Sequence, residues 1–348
     1  MDPATAGDAQ LSAVHAQLVA HYGASGIPPE LRLLFGAPDL LCATWVAFHE
    51  SLVAGRASRT DRELVAAGVA RAGRCAPVLR TQARALDAGG HPALARAVRA
   101  GGTPEDPGHA RLLAWGAATA APKGPPAEPP FPAVHAPEFL GAALTAHFLT
   151  RLGSALVSAP APGGIGRWPW RLKGRRAAAR STAERTARPG DSLSLLAGAT
   201  GPAPSWAGGA PLGAGLAALR SAAAADGGAG LTDTVRTRVA ETVAEYGGRP
   251  PTADPGGRQP AARAWLYAAL SGLRGTDRPA AAVALLTALA PAQLAFSDVE
   301  FWRVTAPEEA AGDAALLRLA AFGAYTAVEC VERRLVASTP GADTHPRS

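Results

Sequence analysis

The chain has 348 residues, 48% of them apolar, which is enough to bury one large hydrophobic core or two smaller ones. Its net charge of +6 is concentrated between Arg167 and Arg188, where eight basic residues meet one acidic residue, so the charge does not indicate a nucleic-acid-binding surface elsewhere. Its three cysteines, Cys42, Cys75 and Cys330, are odd in number and far apart, which argues against a disulfide framework.

Helical periodicity dominates the chain, and no run of alternating β-branched residues predicts a strand, so we expect an all-α protein. The predicted organisation is a helical unit (1–125), a connecting long helix (126–160), a mobile segment rich in Gly, Pro and Arg (161–210), a second helical unit (211–337) and a disordered tail (338–348). The predicted helices span 15–22, 38–54, 61–72, 76–88, 92–99, 110–120, 137–157, 212–225, 232–246, 261–273, 278–289, 296–303 and 313–336, with a short one at 177–186.

Two of the predicted helices share a ten-residue pattern. R-L-L-A-W-G-A-A-T-A at 111–120 and R-L-A-A-F-G-A-Y-T-A at 318–327 agree at seven of ten positions. A weaker repeat places a Thr-Asp pair, at 60–61 and at 232–233, before an amphipathic helix. The similarity is either chance between Ala-rich helices or an internal duplication of one helical unit, stacked as a pseudo-dimer.

The segment 63–82 reads E-L-V-A-A-G-V-A-R-A-G-R-C-A-P-V-L-R-T-Q. It resembles the active-site segment of the alkylhydroperoxidase D-like / carboxymuconolactone decarboxylase family. Peroxidases of that family carry a glutamate, then twelve residues on a Cys-x-x-Cys, then a histidine four residues past the second cysteine. The glutamate and the first cysteine are present as Glu63 and Cys75, but the second cysteine position holds Val78 and the histidine position holds Gln82.

The resemblance implies a bundle of helices, association into oligomers, and a reaction in which the second cysteine attacks the peroxide. The first cysteine then resolves the sulfenic acid, and the histidine, assisted by the glutamate, acts as base. By this correspondence Cys75 is the resolving thiol and Glu63 the relay carboxylate, whereas Val78 has no thiol and Gln82 cannot take a proton near pH 7. We therefore expect the dithiol peroxidase reaction to be lost at a degenerate site formed by Glu63, Cys75 and Gln82.

Three functions stay open at this point. The first is altered family chemistry, with one thiol at Cys75 or acid/base work by Glu63 on a small organic acid or peroxide. The second is a catalytically inactive scaffold or small-ligand-binding protein. The third is binding of a polyanion or a membrane surface through Arg167–Arg188, which mixes tryptophan with basic residues. A solvated basic loop is the commoner use of such a segment, so nucleic acid and anionic membrane are not the favoured partners.

Each surviving motif residue also has a structural interpretation. Glu63 follows Thr60 by three residues, which is the spacing of a capping box. Gly73 suits the end of one helix, and Cys75 then lies at the start of the next, where the helix dipole favours a thiolate, although it is equally an ordinary small core residue. His147, in an apolar helix, is typical of a hydrogen-bonded core histidine.

No cofactor or metal is expected. His49-Glu50 lacks a second histidine four residues on, and cysteines and histidines do not cluster at ligand spacing. The glycines at 163–166 follow no predicted strand, so they do not predict a phosphate-binding loop. The first ten residues lack the apolar core of a signal peptide, and no apolar run reaches the ~20 residues of a membrane span, so we expect a cytoplasmic protein. The preference for Arg over Lys is typical of a GC-rich bacterial genome.

Overall fold

The structure is a computed structural model of the chain, and it describes residues 9–120, 128–157, 187–196, 201–249, 263–308 and 311–339. Within these ranges the chain forms helices and no strand, so the predicted all-α fold is confirmed. The α-helices are α1 (Ala9–Tyr22), α2 (Pro29–Arg32), α3 (Pro38–Phe48), α4 (Arg59–Ala72), α5 (Ala76–Ala88), α6 (Pro92–Arg99), α7 (Pro107–Thr119), α8 (Ala136–Leu152), α9 (Pro211–Ala224), α10 (Asp233–Glu245), α11 (Ala264–Ala269), α12 (Asp277–Leu289), α13 (Phe296–Thr305) and α14 (Asp313–Ser338).

Most predicted helix boundaries are correct to within a few residues, and α5 and α6 begin and end where predicted. The sequence did not predict α2, whose four residues are too few to show a period. The predicted helices 38–54 and 137–157 end close to where expected, but the last turn of each is π-helical rather than α-helical, at His49–Val53 and Gly153–Val157. Such turns are often found at functional sites.

Several predictions fall on residues outside the described ranges. They include the short helix at 177–186 and the basic segment Arg167–Arg188, of whose basic residues only Arg188 is described. Of the predicted mobile segment, residues 187–196 and 201–210 are described, and they form short 3-10 turns at Leu193–Leu195 and Ser205–Ala207. α14 continues to Ser338, the first residue of the predicted tail, and residues 340–348 of that tail lie outside the described ranges.

One continuous hydrophobic core joins the N-terminal and C-terminal helices. In the N-terminal part α4 packs between α7 and α8, and in the C-terminal part α12 packs on α14. The two parts meet where α3 packs against α9 and where α8 packs against α14. Among the described residues, two helical stretches are long and apolar enough to cross a membrane, Ala133–Val157 and Asp313–Ser338. Both are mostly buried inside the protein, as the core helices of a soluble protein also are.

A glycine lies at each of the two main helix crossings and allows the two backbones to come into close contact. Gly116 on α7 lies so close to the carbonyl of Val65 on α4 that a side chain there would overlap it, and Gly323 on α14 lies equally close to the carbonyl of Ala284 on α12. Both glycines hold the same position in the repeated ten-residue pattern. The internal duplication and the two-unit division stay predictions, but the crossings agree with them.

The weaker repeat does not hold in the structure. Thr232 caps the N-terminus of α10 with its side chain, whereas Thr60 lies inside α4, whose N-cap is Ser58. The two Thr-Asp pairs therefore have different structural roles, since only Thr232 accepts a capping hydrogen bond.

Candidate functional site

The junction between α4 and α5 places Cys75. Gly73 ends α4 and Cys75 is the N-cap of α5, as predicted, while Arg74 between them takes the left-handed φ of 52° that a two-residue link requires. A side chain at Gly73 would overlap the methyl group of Thr150 on α8, so the junction packs tightly on that helix. The sulfur of Cys75 therefore lies at the N-terminal end of a thirteen-residue helix, where the backbone dipole is positive.

All four motif positions are buried. Glu63 is 2% exposed, Cys75 1%, Val78 0% and Gln82 1%. Cys75, Val78 and Gln82 follow one another at the spacing of a single helix face, so the family motif occupies one inward face of α5. The sequence alone did not indicate this degree of burial.

Glu63 is not the capping residue that the Thr60-x-x-Glu63 spacing suggested. α4 begins at Arg59, and its N-cap Ser58 accepts a 3.3 Å hydrogen bond from the backbone NH of Asp61. The side chain of Glu63 instead accepts from the Arg59 guanidinium, with Nε and Nη2 both 3.3 Å from Oε1. The prediction was wrong because α4 starts two residues earlier than the threonine-first pattern implied, with Ser58 rather than Thr60 as its N-cap.

The π turn that follows α8 covers the cysteine. A Cβ atom at Gly153 would stand 3.0 Å from Cys75 Sγ, 3.3 Å from Val78 Cγ2 and 3.9 Å from Glu30 Cβ. Thus the sulfur, the valine at the second cysteine position and the Cβ atom of a glutamate from α2 surround one glycine. Any larger residue at 153 would have to displace the sulfur or the valine methyl group.

Glu30 is the site residue that sequence reasoning missed. It is 1% exposed, and its Oε1 accepts a 2.7 Å hydrogen bond from the hydroxyl of Thr81 on α5. Burial raises the pKa of the Glu30 carboxyl, and the Thr81 hydrogen bond offsets this only in part. Its one sequence signal is an acidic residue within the apolar stretch I-P-P-E-L-R-L-L at 27–34, which has no motif attached to it.

Gln82 has hydrogen-bonding capacity that the described residues do not use. Neither its amide nitrogen nor its amide oxygen contacts a partner among them, and the same holds for Glu30 Oε2, Thr150 Oγ1 and Ser154 Oγ. Buried polar groups are rarely left unpaired, because each costs about 1–3 kcal/mol. These atoms therefore leave both donor and acceptor capacity unused on the buried face around Cys75.

A comparison with known proteins decides the family. The chain is 32% identical over 346 residues, 97% of its own length and 94% of the other, to the alkyl hydroperoxide reductase Rv2159c of Mycobacterium tuberculosis (strain ATCC 25618 / H37Rv). The chain belongs to the alkylhydroperoxidase D-like family. No family model and no solved structure matches it.

In this alkylhydroperoxidase D-like chain the other two cysteines lie on α3 and α14, whereas the motif lies on α4 and α5. Cys42 on α3 is 1% exposed, with its sulfur 3.9 Å from the carbonyl of Gln10 on α1. Cys330 on α14 accepts a 3.1 Å hydrogen bond from Arg333, and burial raises the pKa of its thiol. In the described part of the chain, which contains all three cysteines, no disulfide joins Cys75 to either of the other two.

His147 is a core histidine, as predicted. It is 1% exposed, its Nε2 lies 2.8 Å from Thr119 Oγ1 and its Nδ1 lies 3.0 Å from the Arg151 guanidinium. Burial, followed by the positive charge of Arg151, lowers the pKa of His147 well below its usual range. These contacts bind α8 to α7 and do not include a motif residue.

The His49-Glu50 pair serves as an anchor. Glu50 accepts from the backbone NH of Gly190 at 2.7 Å and from the Ser192 hydroxyl at 2.6 Å, and His49 Nδ1 lies 3.1 Å from the same carboxylate. Burial raises the pKa of Glu50, but these hydrogen bonds outweigh it and the net pKa is lowered. In the part of the chain that the structure describes, no group of three His, Cys, Asp or Glu residues could hold a metal ion.

Proposed function

We propose that this chain is an alkylhydroperoxidase D-like protein that has lost the dithiol peroxidase cycle and reduces hydroperoxides with one thiol, Cys75. The observation that carries the proposal is the position of Cys75 at the N-terminus of α5, beside a buried carboxylic acid and the unpaired amide of Gln82. A helix N-terminus stabilises a thiolate. The name of the M. tuberculosis relative, alkyl hydroperoxide reductase, supports the substrate class.

The reaction needs one protein sulfur and an external reductant. The Cys75 thiolate attacks the terminal oxygen of the hydroperoxide, the O–O bond breaks, and an alkoxide leaves and is protonated to the alcohol. Sulfur is oxidised by two electrons to the sulfenic acid, and the peroxide is reduced by the same two. Two molecules of a low-molecular-weight thiol then return Cys75 to the thiol, forming their disulfide and water.

A second candidate function is an inactive scaffold or small-ligand-binding protein. The observation in its favour is the burial of Glu63, Cys75, Val78 and Gln82, none of which is more than 2% exposed. A structural sulfur in such surroundings is inert. The acid/base alternative at Glu63 is less favoured, because its carboxylate is engaged by Arg59 across the start of α4.

The deciding measurement is trapping of the sulfenic acid. Native protein is treated with a small organic hydroperoxide in the presence of dimedone, and the three cysteines are quantified by mass spectrometry. We expect adduct at Cys75 and not at Cys42 or Cys330, and we expect the Cys75→Ser variant to lose the consumption of hydroperoxide. Absence of adduct at Cys75 in folded protein would favour the scaffold.

A further inference from the structure

A second buried group lies beside Cys75 and can exchange a proton. Glu30 on α2 is packed against α5 and against the π turn at Gly153–Val157. Its Cβ and the sulfur of Cys75 both lie within 4 Å of the space where a side chain at Gly153 would begin. Gln82, at the family's histidine position, cannot transfer a proton near pH 7. Glu30 therefore places a titratable carboxyl next to this space, which the residue at position 82 no longer does.

The two oxygens of Glu30 are not equivalent. Oε1 accepts the hydrogen bond from Thr81, whereas Oε2 is buried and contacts no hydrogen-bonding partner among the described residues. A proton on this carboxyl is therefore held on Oε2, because Oε1 is occupied as an acceptor. A neutral carboxyl with one free O–H is the arrangement of a general acid.

We propose that Glu30 is the general acid of the Cys75 reaction and protonates the leaving alkoxide. The inference rests on the proposed function. When the Cys75 thiolate attacks the terminal peroxide oxygen and the O–O bond breaks, the proton on Glu30 Oε2 passes to the alkoxide oxygen. The products are the Cys75 sulfenic acid, the alcohol and the Glu30 carboxylate, which regains its proton from solvent. Gln82 holds the hydroperoxide by its amide and takes no part in proton transfer.

The charged groups around Glu30 are few. Arg32 lies on the same helix, and Arg80 and Arg84 lie on α5, each at a distance where its charge is felt but without an ion pair to Glu30 among the described contacts. The π turn contributes no titratable group, since it reads G-S-A-L-V. Burial outweighs the arginines and raises the pKa of Glu30, so a larger fraction of the carboxyl is protonated at neutral pH than in water.

The test compares two reactions of the same sulfur. Oxidation by a hydroperoxide requires a proton for its leaving alkoxide, whereas alkylation by iodoacetamide releases iodide, which needs none. We expect Glu30→Gln to slow the oxidation of Cys75 about 100-fold and to leave its alkylation rate within a few-fold of the parent. The exposed Glu241 on α10 provides the matched control, and Glu241→Gln should change neither rate.

A pH series adds a second readout. In the parent, oxidation should slow as pH rises through the pKa of Glu30, relative to alkylation, and Glu30→Gln should lose this decline. Should Glu30→Gln fail to fold by circular dichroism, Glu30→Asp keeps the acid on a shorter side chain and should slow oxidation about 10-fold.

The outcomes separate the two proposals. If Cys75 of the parent is oxidised and folded Glu30→Gln is oxidised at the same rate, the role of Glu30 is overturned and the one-thiol function stands. If both reactions slow equally in Glu30→Gln, the residue only shapes the site and is not the acid. If Cys75 of the parent alkylates but is not oxidised, the one-thiol function is wrong and the inference fails with it.

Discussion

Nδ1 of His147 accepts a hydrogen bond from the guanidinium of Arg151, one helical turn further along α8 and 3.0 Å away. Because Nδ1 accepts, the ring proton is on Nε2, which donates to Thr119 Oγ1, and the Thr119 hydroxyl donates to the carbonyl of Gly116 at 2.7 Å. Each group in this series donates to the next, from Arg151 through His147 and Thr119 to the carbonyl of Gly116. A second proton on His147 would point at the guanidinium, which cannot accept it, so the ring must stay neutral.

This arrangement predicts acid sensitivity. The pKa of His147 is lower in the folded than in the unfolded protein, so the unfolded state binds more protons and the free energy of unfolding falls as pH drops below about 6.5. The expected slope approaches about 1.4 kcal/mol per pH unit for this residue. Urea unfolding of the parent and of His147→Gln between pH 5 and 8 measures it, because the difference between them cancels the titration of other groups, including Glu30. A pH-independent difference would contradict the prediction.

Replacing Val78 by cysteine should rebuild a redox-active pair. Val78 Cγ2 and Cys75 Sγ are both in contact distance of the space beside Gly153, so a sulfur at position 78 would lie next to the existing one. We expect Val78→Cys to form a disulfide between Cys75 and the introduced cysteine on mild oxidation, at a stability cost of about 1 kcal/mol. Loss of two thiols by titration and a peptide mass shift on reduction report it. Val299→Cys, a similarly buried valine on α13, is the control and should retain all four of its thiols in reduced form.

Closing the space at the helix crossings should destabilise the fold. An alanine methyl group at Gly116 or at Gly323 would overlap a backbone carbonyl, which cannot move aside as a side chain can. We expect Gly116→Ala and Gly323→Ala to lower the free energy of unfolding by about 3 kcal/mol each. Gly36→Ala is the matched control, because its methyl group would meet only Leu317 Cδ1 at an ordinary 3.5 Å. Equal stability of all three variants would show that the crossings are looser than described.

Removing the charge of Glu50 should release the segment 187–196. This carboxylate accepts from the backbone of Gly190 and from both the backbone and the hydroxyl of Ser192. Glu50→Gln keeps the size but turns one acceptor into a donor that faces N–H groups, and a lost charged hydrogen bond costs about 1.5–3 kcal/mol. Amide hydrogen exchange in 187–196 should become roughly 10-fold to 100-fold faster, while exchange in α4 should stay unchanged. Unaltered protection of 187–196 would mean that packing, rather than Glu50, holds the segment.

The sequence predicted the helices well where they are long and where residues typical of helix starts and ends mark their boundaries. The Gly73 ending of α4 and the Cys75-Ala76-Pro77 start of α5 are local signals, so that junction could be placed to the residue. The capping role of Glu63 was wrong because Ser58 and Thr60 both fit a cap, and only packing selects between them. Short α2 carries no period, so Glu30 had no feature that marked it before the chain was folded.

The candidate site could be predicted only in part for a related reason. Residues of the motif on α4 and α5 are close in sequence, but Glu30 and Gly153 reach Cys75 from α2 and from the end of α8. Contacts between distant segments leave no mark on a single sequence. The π turns were likewise not predicted, since each lies within a stretch that the sequence pattern predicts as one continuous helix, 38–54 and 137–157.

The contacts of Arg151 affect how the protein unfolds. Its guanidinium is buried on α8 and donates to the carbonyls of Ala288 and Gly248, at 3.0 Å and 2.8 Å, and no carboxylate among the described residues pairs with it. Burial lowers its pKa to about 10, so the group stays charged at neutral pH. If the C-terminal helices unfolded first, the Arg151 guanidinium would lose both carbonyl acceptors while it remained next to apolar α8, which is unfavourable. We therefore expect the N-terminal and C-terminal parts to unfold in a single transition rather than one after the other.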